Sequence, residues 1–130
     1  MTQEMVAAKQ AVWEGTGFAC LARLTLLDGT YITQAALSTI TRTIYDLTAN
    51  TAGSPSSVTI ASAVFDTLQD WPAVGDDPPD NIGYNFNQVV AHDALTTAGD
   101  EYRIAYTFTP VSGEPVKAVF DVPLRSMTEP

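Results

Sequence analysis

With 130 residues, the chain can build one hydrophobic core and is too short for two. Fifteen acids against six Lys and Arg give a net charge of −9, which opposes binding to DNA or to an anionic bilayer because there is no positive field to gather phosphates. No stretch approaches the ~18 apolar residues of a membrane-spanning helix, and the opening Met1–Met5 lacks the basic start and apolar run of an export signal, so the expectation is a protein made and used without export.

The first seventeen residues differ from the rest. Met5, Ala8, Val12 and Trp13 recur at helical spacing, Thr2 is a capping residue, and Gly15 and Gly17 would stop a helix. The segment 1–17 is therefore expected to be a short amphipathic helix or a loose arm that packs on something through Met5, Val12 and Trp13. From Phe18 the period becomes two, with Phe18, Cys20, Ala22, Leu24 and Leu26 on one side and Arg23 and Thr25 on the other, the pattern of a half-buried strand. The lone Cys20, set among these apolar neighbours, is expected to behave as a small buried hydrophobe.

Asp28-Gly29 is a turn signal, and a second strand is expected across Thr39–Leu47, rich in β-branched residues. Its inward face is ambiguous, because Ile40 and Ile44 alternate against Tyr45 and Leu47. Ala49 to Ser57, with Gly53 and Pro55, reads as a loop. Val58–Leu68 contains a further strand, broken near Ala61–Ala63. Gln69 to Gly83 is the longest irregular segment and holds Trp71, Asp76, Asp77 and Asp80; its adjacent prolines exclude a central strand. Alternation resumes at Tyr84. Tyr102, Ile104, Tyr106 and Phe108 form one face, Pro110–Pro115 turns the chain, and Val116, Ala118, Phe120, Val122 and Leu124 form the next, predicting a hairpin before a tail at 127–130.

Strands with one apolar face must bury those faces against each other, so two stacked sheets are the expected architecture. Leu95 is placed to plug one end of such a sandwich. Gly99 is followed by Tyr102 at a strand start, where an immunoglobulin-like domain uses a tyrosine hydroxyl to cap the corner and points the residue two further on, here Ile104, into the core. The fold expected is all-β: an immunoglobulin-like antiparallel β-sandwich of six to eight strands over residues 18–126, with a short N-terminal arm.

The segment Ala94–Leu124 looks like fibronectin type III and other immunoglobulin-like modules. Taken with Leu26–Thr30 and Thr43–Leu47, it resembles more closely the small immunoglobulin-like structural proteins of tailed bacteriophages, including the amino-terminal domain of phage baseplate upper proteins. The likeness is one of pattern, and the acidic loop Trp71–Asn81 has no counterpart in it. What the resemblance implies is a virion component at the tail, neck, baseplate or capsid surface, present in the host cytoplasm during assembly.

Chemistry leaves few marks. The single histidine, His92, has no nucleophile-bearing turn near it in sequence, so no catalytic residue is expected. Zinc is disfavoured by one Cys and one His. Asp70, Asp76, Asp77, Asp80 and Asn81 offer oxygen donors for calcium, but without the spacing of a twelve-residue calcium loop, so they read as a solvated acidic loop suited to docking a basic neighbour. No phosphate-binding glycine loop follows a strand, and no cofactor is expected. The expected activity is non-enzymatic assembly through protein–protein docking, with Met5, Val12, Trp13, Trp71, Asp76, Asp77 and Asp80 as contact residues. Partners are then copies of itself, in a homo-oligomer, and other virion proteins, with no nucleic acid or membrane. The alternative is an immunoglobulin-like module that binds a ligand or receptor such as a carbohydrate.

Overall fold

Period-two apolar runs dictate the architecture. The computed structural model describes residues 5–7, 12–72 and 79–127. These build an all-β sandwich from β1 (Met5–Ala7), β2 (Val12–Trp13), β3 (Phe18–Leu24), β4 (Leu37–Asp46), β5 (Thr51–Ala52), β6 (Ser56–Val58), β7 (Val64–Gln69), β8 (Tyr84–Val90), β9 (Glu101–Pro110) and β10 (Val116–Arg125), with one helical turn, α1 (Ile60–Ala63). One sheet has the order β1-β3-β8-β7; the other runs β2-β10-β9-β4, with β5 and β6 side by side with β4. This is the strand order of an immunoglobulin-type sandwich.

The expected hairpin is present as β9 and β10, paired antiparallel from Val116↔Phe108 to Pro123↔Glu101. Residues along β10 alternate strictly between buried and exposed. The two sheets meet at Phe86 of β8, fully buried, whose ring lies edge-on to Tyr106 (4.9 Å) and Phe108 (5.2 Å) of β9 and stacks with Phe120 of β10 at 6.5 Å. Such offset and edge-to-face contacts add to the hydrophobic gain of burying the rings. At one end Leu95 is buried, Ile104 points into the core, and the Thr97 N–H donates to the Tyr102 hydroxyl at 2.8 Å, so the corner tyrosine acts as its placement in the chain predicts.

Several expectations are corrected. The N-terminal segment is not helical where it is described. β1 pairs antiparallel with β3 and β2 pairs parallel with the end of β10, so the arm switches from one sheet to the other and belongs to the sandwich. Val12 is buried in the core, and its helical spacing to Met5 is coincidental: each residue closes the edge of a different sheet. The described strands number ten, and the β2–β10 pair is parallel, against an expectation of six to eight antiparallel strands.

Ala49–Ser57 is not a free loop either. After the turn at Asn50, whose φ is 58°, Thr51–Ala52 pairs with Tyr45–Asp46 and Ser56–Val58 with Ile40–Arg42, around an irregularity at Gly53–Pro55. Proline is tolerated here because the strand lies at the sheet margin, where a missing N–H breaks no ladder. The ambiguous face of β4 resolves with Ile40 and Ile44 inward. The break near Ala61–Ala63 is α1, which carries the chain from one sheet to the other.

Antiparallel pairing puts the segments 25–36, 70–72, 79–83 and 111–115 at one end, where the Val111 N–H donates to Ala36 O. The connections 14–17, 47–50 and 91–100 lie at the opposite end. Phe86→Ala is expected to lower the unfolding free energy by about 3–5 kcal/mol, whereas Val89→Ala, at a side chain 67 % exposed, should stay within about 0.5 kcal/mol; urea denaturation followed by circular dichroism measures both.

Candidate functional site

Strand β3 is buried on both faces, contrary to the half-buried reading: Leu21, Arg23 and Thr25 are as inaccessible as the core side. The cover over Arg23 is the end of the long acidic connection. Arg23 Nη1 donates to Asp80 Oδ2 at 2.7 Å and to Gly83 O at 3.2 Å. The other Asp80 oxygen accepts the indole N–H of Trp71 (2.9 Å) and the backbone N–H groups of Ile82 and Gly83. One carboxylate thus ties Trp71, its own turn and a cation 57 residues away. Gly83 allows the close return of the chain: its φ is +117°, and a Cβ there would stand 2.3 Å from Gln69 O.

Nearby, Trp71 packs on Tyr84, which meets Phe65 edge-on. Asn85, also buried, accepts the Leu24 N–H and donates to Leu24 O and Ile32 O, so its amide pairs with the β3 backbone. Nothing in the sequence marks Arg23 or Asn85 as buried, because both have the composition of a solvent-facing position.

Four of the seven expected contact residues are therefore committed to the fold. Trp71 is buried and Asp80 is engaged on both oxygens; Val12 lies in the core and Met5 packs against it. Trp13 stays 40 % exposed, with the Arg125 guanidinium 5.7 Å from its ring centre. Asp76 and Asp77 lie outside the described residues. Among the described residues no group of three or more acids, histidines or cysteines is placed to hold a metal ion.

A polar seam crosses the interior. Cys20 of β3 is opposite Gln88 of β8, and Arg42 of β4 is opposite Tyr106 of β9. Gln88 Oε1 accepts from the Tyr106 hydroxyl and from Arg42 Nη1. Burial pushes the Cys20 thiol up to about 11, partly offset by hydrogen bonding with Tyr106 and by the charge of Arg42. The Tyr106 hydroxyl is likewise held well above its ordinary value, first by burial.

Beside this seam a polar cleft of about 330 Å³ opens between β4, β5 and the 91–100 connection, lined by Arg42, Asp46, Ser54, Ser56 and Thr96 among others. At its margin Asp46 is held below the usual carboxylate range, first by the Ala49 N–H, and Asp46 in turn holds Asp100 above that range. His92 is exposed in a turn of that connection.

The outer face of the larger sheet is formed by β10, β9 and β4. By alternation it carries Thr41 and Thr43 of β4, Ala105 and Thr107 of β9, and Val119 of β10, a neutral centre of short side chains. Arg103, bridged to Asp121 at 2.7 Å, and Lys117 flank that centre. No family model, curated protein or solved structure matches the chain.

Two measurements test these placements. Asp80 is held well below the usual carboxylate range, first by the Trp71 indole N–H, then by the Ile82 N–H, with Arg23 and Gly83 adding to the effect. A depressed folded pKa stabilises above the unfolded value of about 3.9 and ceases to do so as pH falls toward the folded value. The urea midpoint should therefore hold from pH 7 to about 5 and drop below about 4, and the gap between wild type and Asp80→Asn should narrow over that drop. Separately, Cys20 should react with a chromogenic disulfide reagent at pH 8 about a hundredfold or more slowly than a free thiol, and at the free rate once unfolded in urea.

Proposed function

We propose that this domain is a non-enzymatic assembly module of a phage-type virion, at its tail, neck, baseplate or capsid surface, working by protein–protein docking. The observation that supports it best is the outer face of β4, β9 and β10, which has an uncharged centre and charged margins, the arrangement of a specific protein interface. The marginal run of β5 and β6 adds exposed backbone for lateral contact. The virion setting rests on the pattern likeness of Ala94–Leu124, taken with Leu26–Thr30 and Thr43–Leu47, to phage immunoglobulin-like proteins.

The Cys20 thiol is buried and held protonated, and the hydroxyl of Tyr106 is spent on Gln88, so neither offers a nucleophile at the surface. Of the expected docking residues, Trp13 retains the exposure the role needs, and it lies beside Arg125.

A second reading, a ligand-binding module for a carbohydrate, is favoured by one feature, the polar cleft beside Arg42 and Asp46. Its hydroxyls and charged groups are suited to a polyol, and the one aromatic ring in its lining, Tyr102, is buried and commits its hydroxyl to the Thr97 N–H.

Mass spectrometry and immunogold microscopy of purified particles from the source phage or prophage test the first reading. The protein is expected in the particles in multiple copies and at one location. Its absence from intact particles, together with a defined preference on a glycan array, would transfer the assignment to the second.

A further inference from the structure

The exposed charge of the described residues is sorted by face. Arg103, Lys117 and Arg125 are the exposed cations among them, and all three sit on β9 and β10. Arg23 is buried and Arg42 lines the cleft. By period two the three exposed cations share the outer face with Val119, Thr107 and the acids Glu101 and Asp121. This face has more cations than acids, in a chain of net charge −9.

The opposite sign collects at the end of the sandwich formed by the described segments 25–36, 70–72, 79–83 and 111–115. Asp28, Asp70 and Glu114 are exposed there. So are Leu27 (42 %), Tyr31 (45 %), Ile82 (50 %) and Val111 (69 %), a large share of the exposed apolar side chains. Asp28 is kept ionised by hydrogen bonds from the Thr30 hydroxyl and N–H. The end is thus acidic and apolar, and the described residues place no exposed cation on these connections.

We propose that the outer face of β9 and β10 docks the acidic loop end of a second copy of this chain, so that copies associate head to tail. The inference rests on the docking reading and names its partner. Charge complementarity selects the pairing: the face is the one described surface with a cation excess, and the loop end is the acidic surface with apolar side chains to bury against Val119. Contact between two different patches of one molecule is heterologous, and repetition closes a ring or extends a filament. Each contact is weak by itself, and a ring strengthens it because the last contact forms within one assembly.

The two electrostatic effects have different ranges, which gives the association a signature. At about 0.01 M salt the screening length of about 30 Å lets the net charges of two copies repel, whereas at about 0.15 M it is about 8 Å and the contacting charges dominate. At about 1 M the contacts themselves are screened.

Sedimentation equilibrium of the full chain across that salt series tests the proposal. The weight-average mass is expected to exceed the 13.9 kDa monomer at intermediate salt and to fall toward it at both extremes. Two double variants, Lys117→Glu with Arg125→Glu and Asp70→Lys with Glu114→Lys, are each expected to stay monomeric with an unchanged circular dichroism spectrum. An equimolar mixture of the two is expected to form a dimer, because the unaltered face of one meets the unaltered loop end of the other. A wild-type monomer at every salt concentration, or a mixture that stays monomeric while wild type associates, would overturn it. If the protein is nevertheless found in purified particles, the self-contact fails while docking onto other virion components stands.

Discussion

Two sheets, each apolar on one face, are stable in water only when those faces are pressed together, and the rest of this molecule is arranged around that contact. Phe86 reaches from one sheet into a group formed by Tyr106, Phe108 and Phe120 of the other, and the buried positions of β3, β4, β9 and β10 close around it. Polar groups that enter the interior must then bring their partners. Gln88 does so for the Tyr106 hydroxyl and Arg42 Nη1, and Asn85 does so for the backbone of β3. Left unpaired in such a setting, each would cost on the order of 1–3 kcal/mol.

The same constraint decides which surfaces remain for contact. The N-terminal segment is drawn into both sheets, at β3 on one side and β10 on the other, so it joins the layers instead of reaching outward. The acidic connection is pinned through Asp80 to Arg23 and Trp71, which buries one of the two tryptophans and covers the outer side of β3. What is left is the outer face of the larger sheet, its margin at β5 and β6, the part of β8 around Val89, and the loops at the two ends.

On those surfaces charge is distributed unevenly. The exposed cations among the described residues gather on β9 and β10, while acids occupy the loop ends. An interface built from such patches is weak in isolation and gains strength by repetition.

The sequence by itself determined the sandwich, because alternation is a local property: the stripes Tyr102–Phe108 and Val116–Leu124 commit their strands to one buried face whatever lies beyond them. It also determined the corner tyrosine, whose partner Thr97 is five residues away. Tertiary structure alone decided the role of the arm, since strands of two or three residues have too little periodicity to distinguish them from a helix and form only because β3 and β10 offer them an edge. It likewise decided the fate of Trp71 and Asp80. Both are read from sequence as surface groups, and a cation 57 residues distant turns them inward. Burial of a polar residue depends on a partner remote in the chain, and local pattern carries no information about that partner.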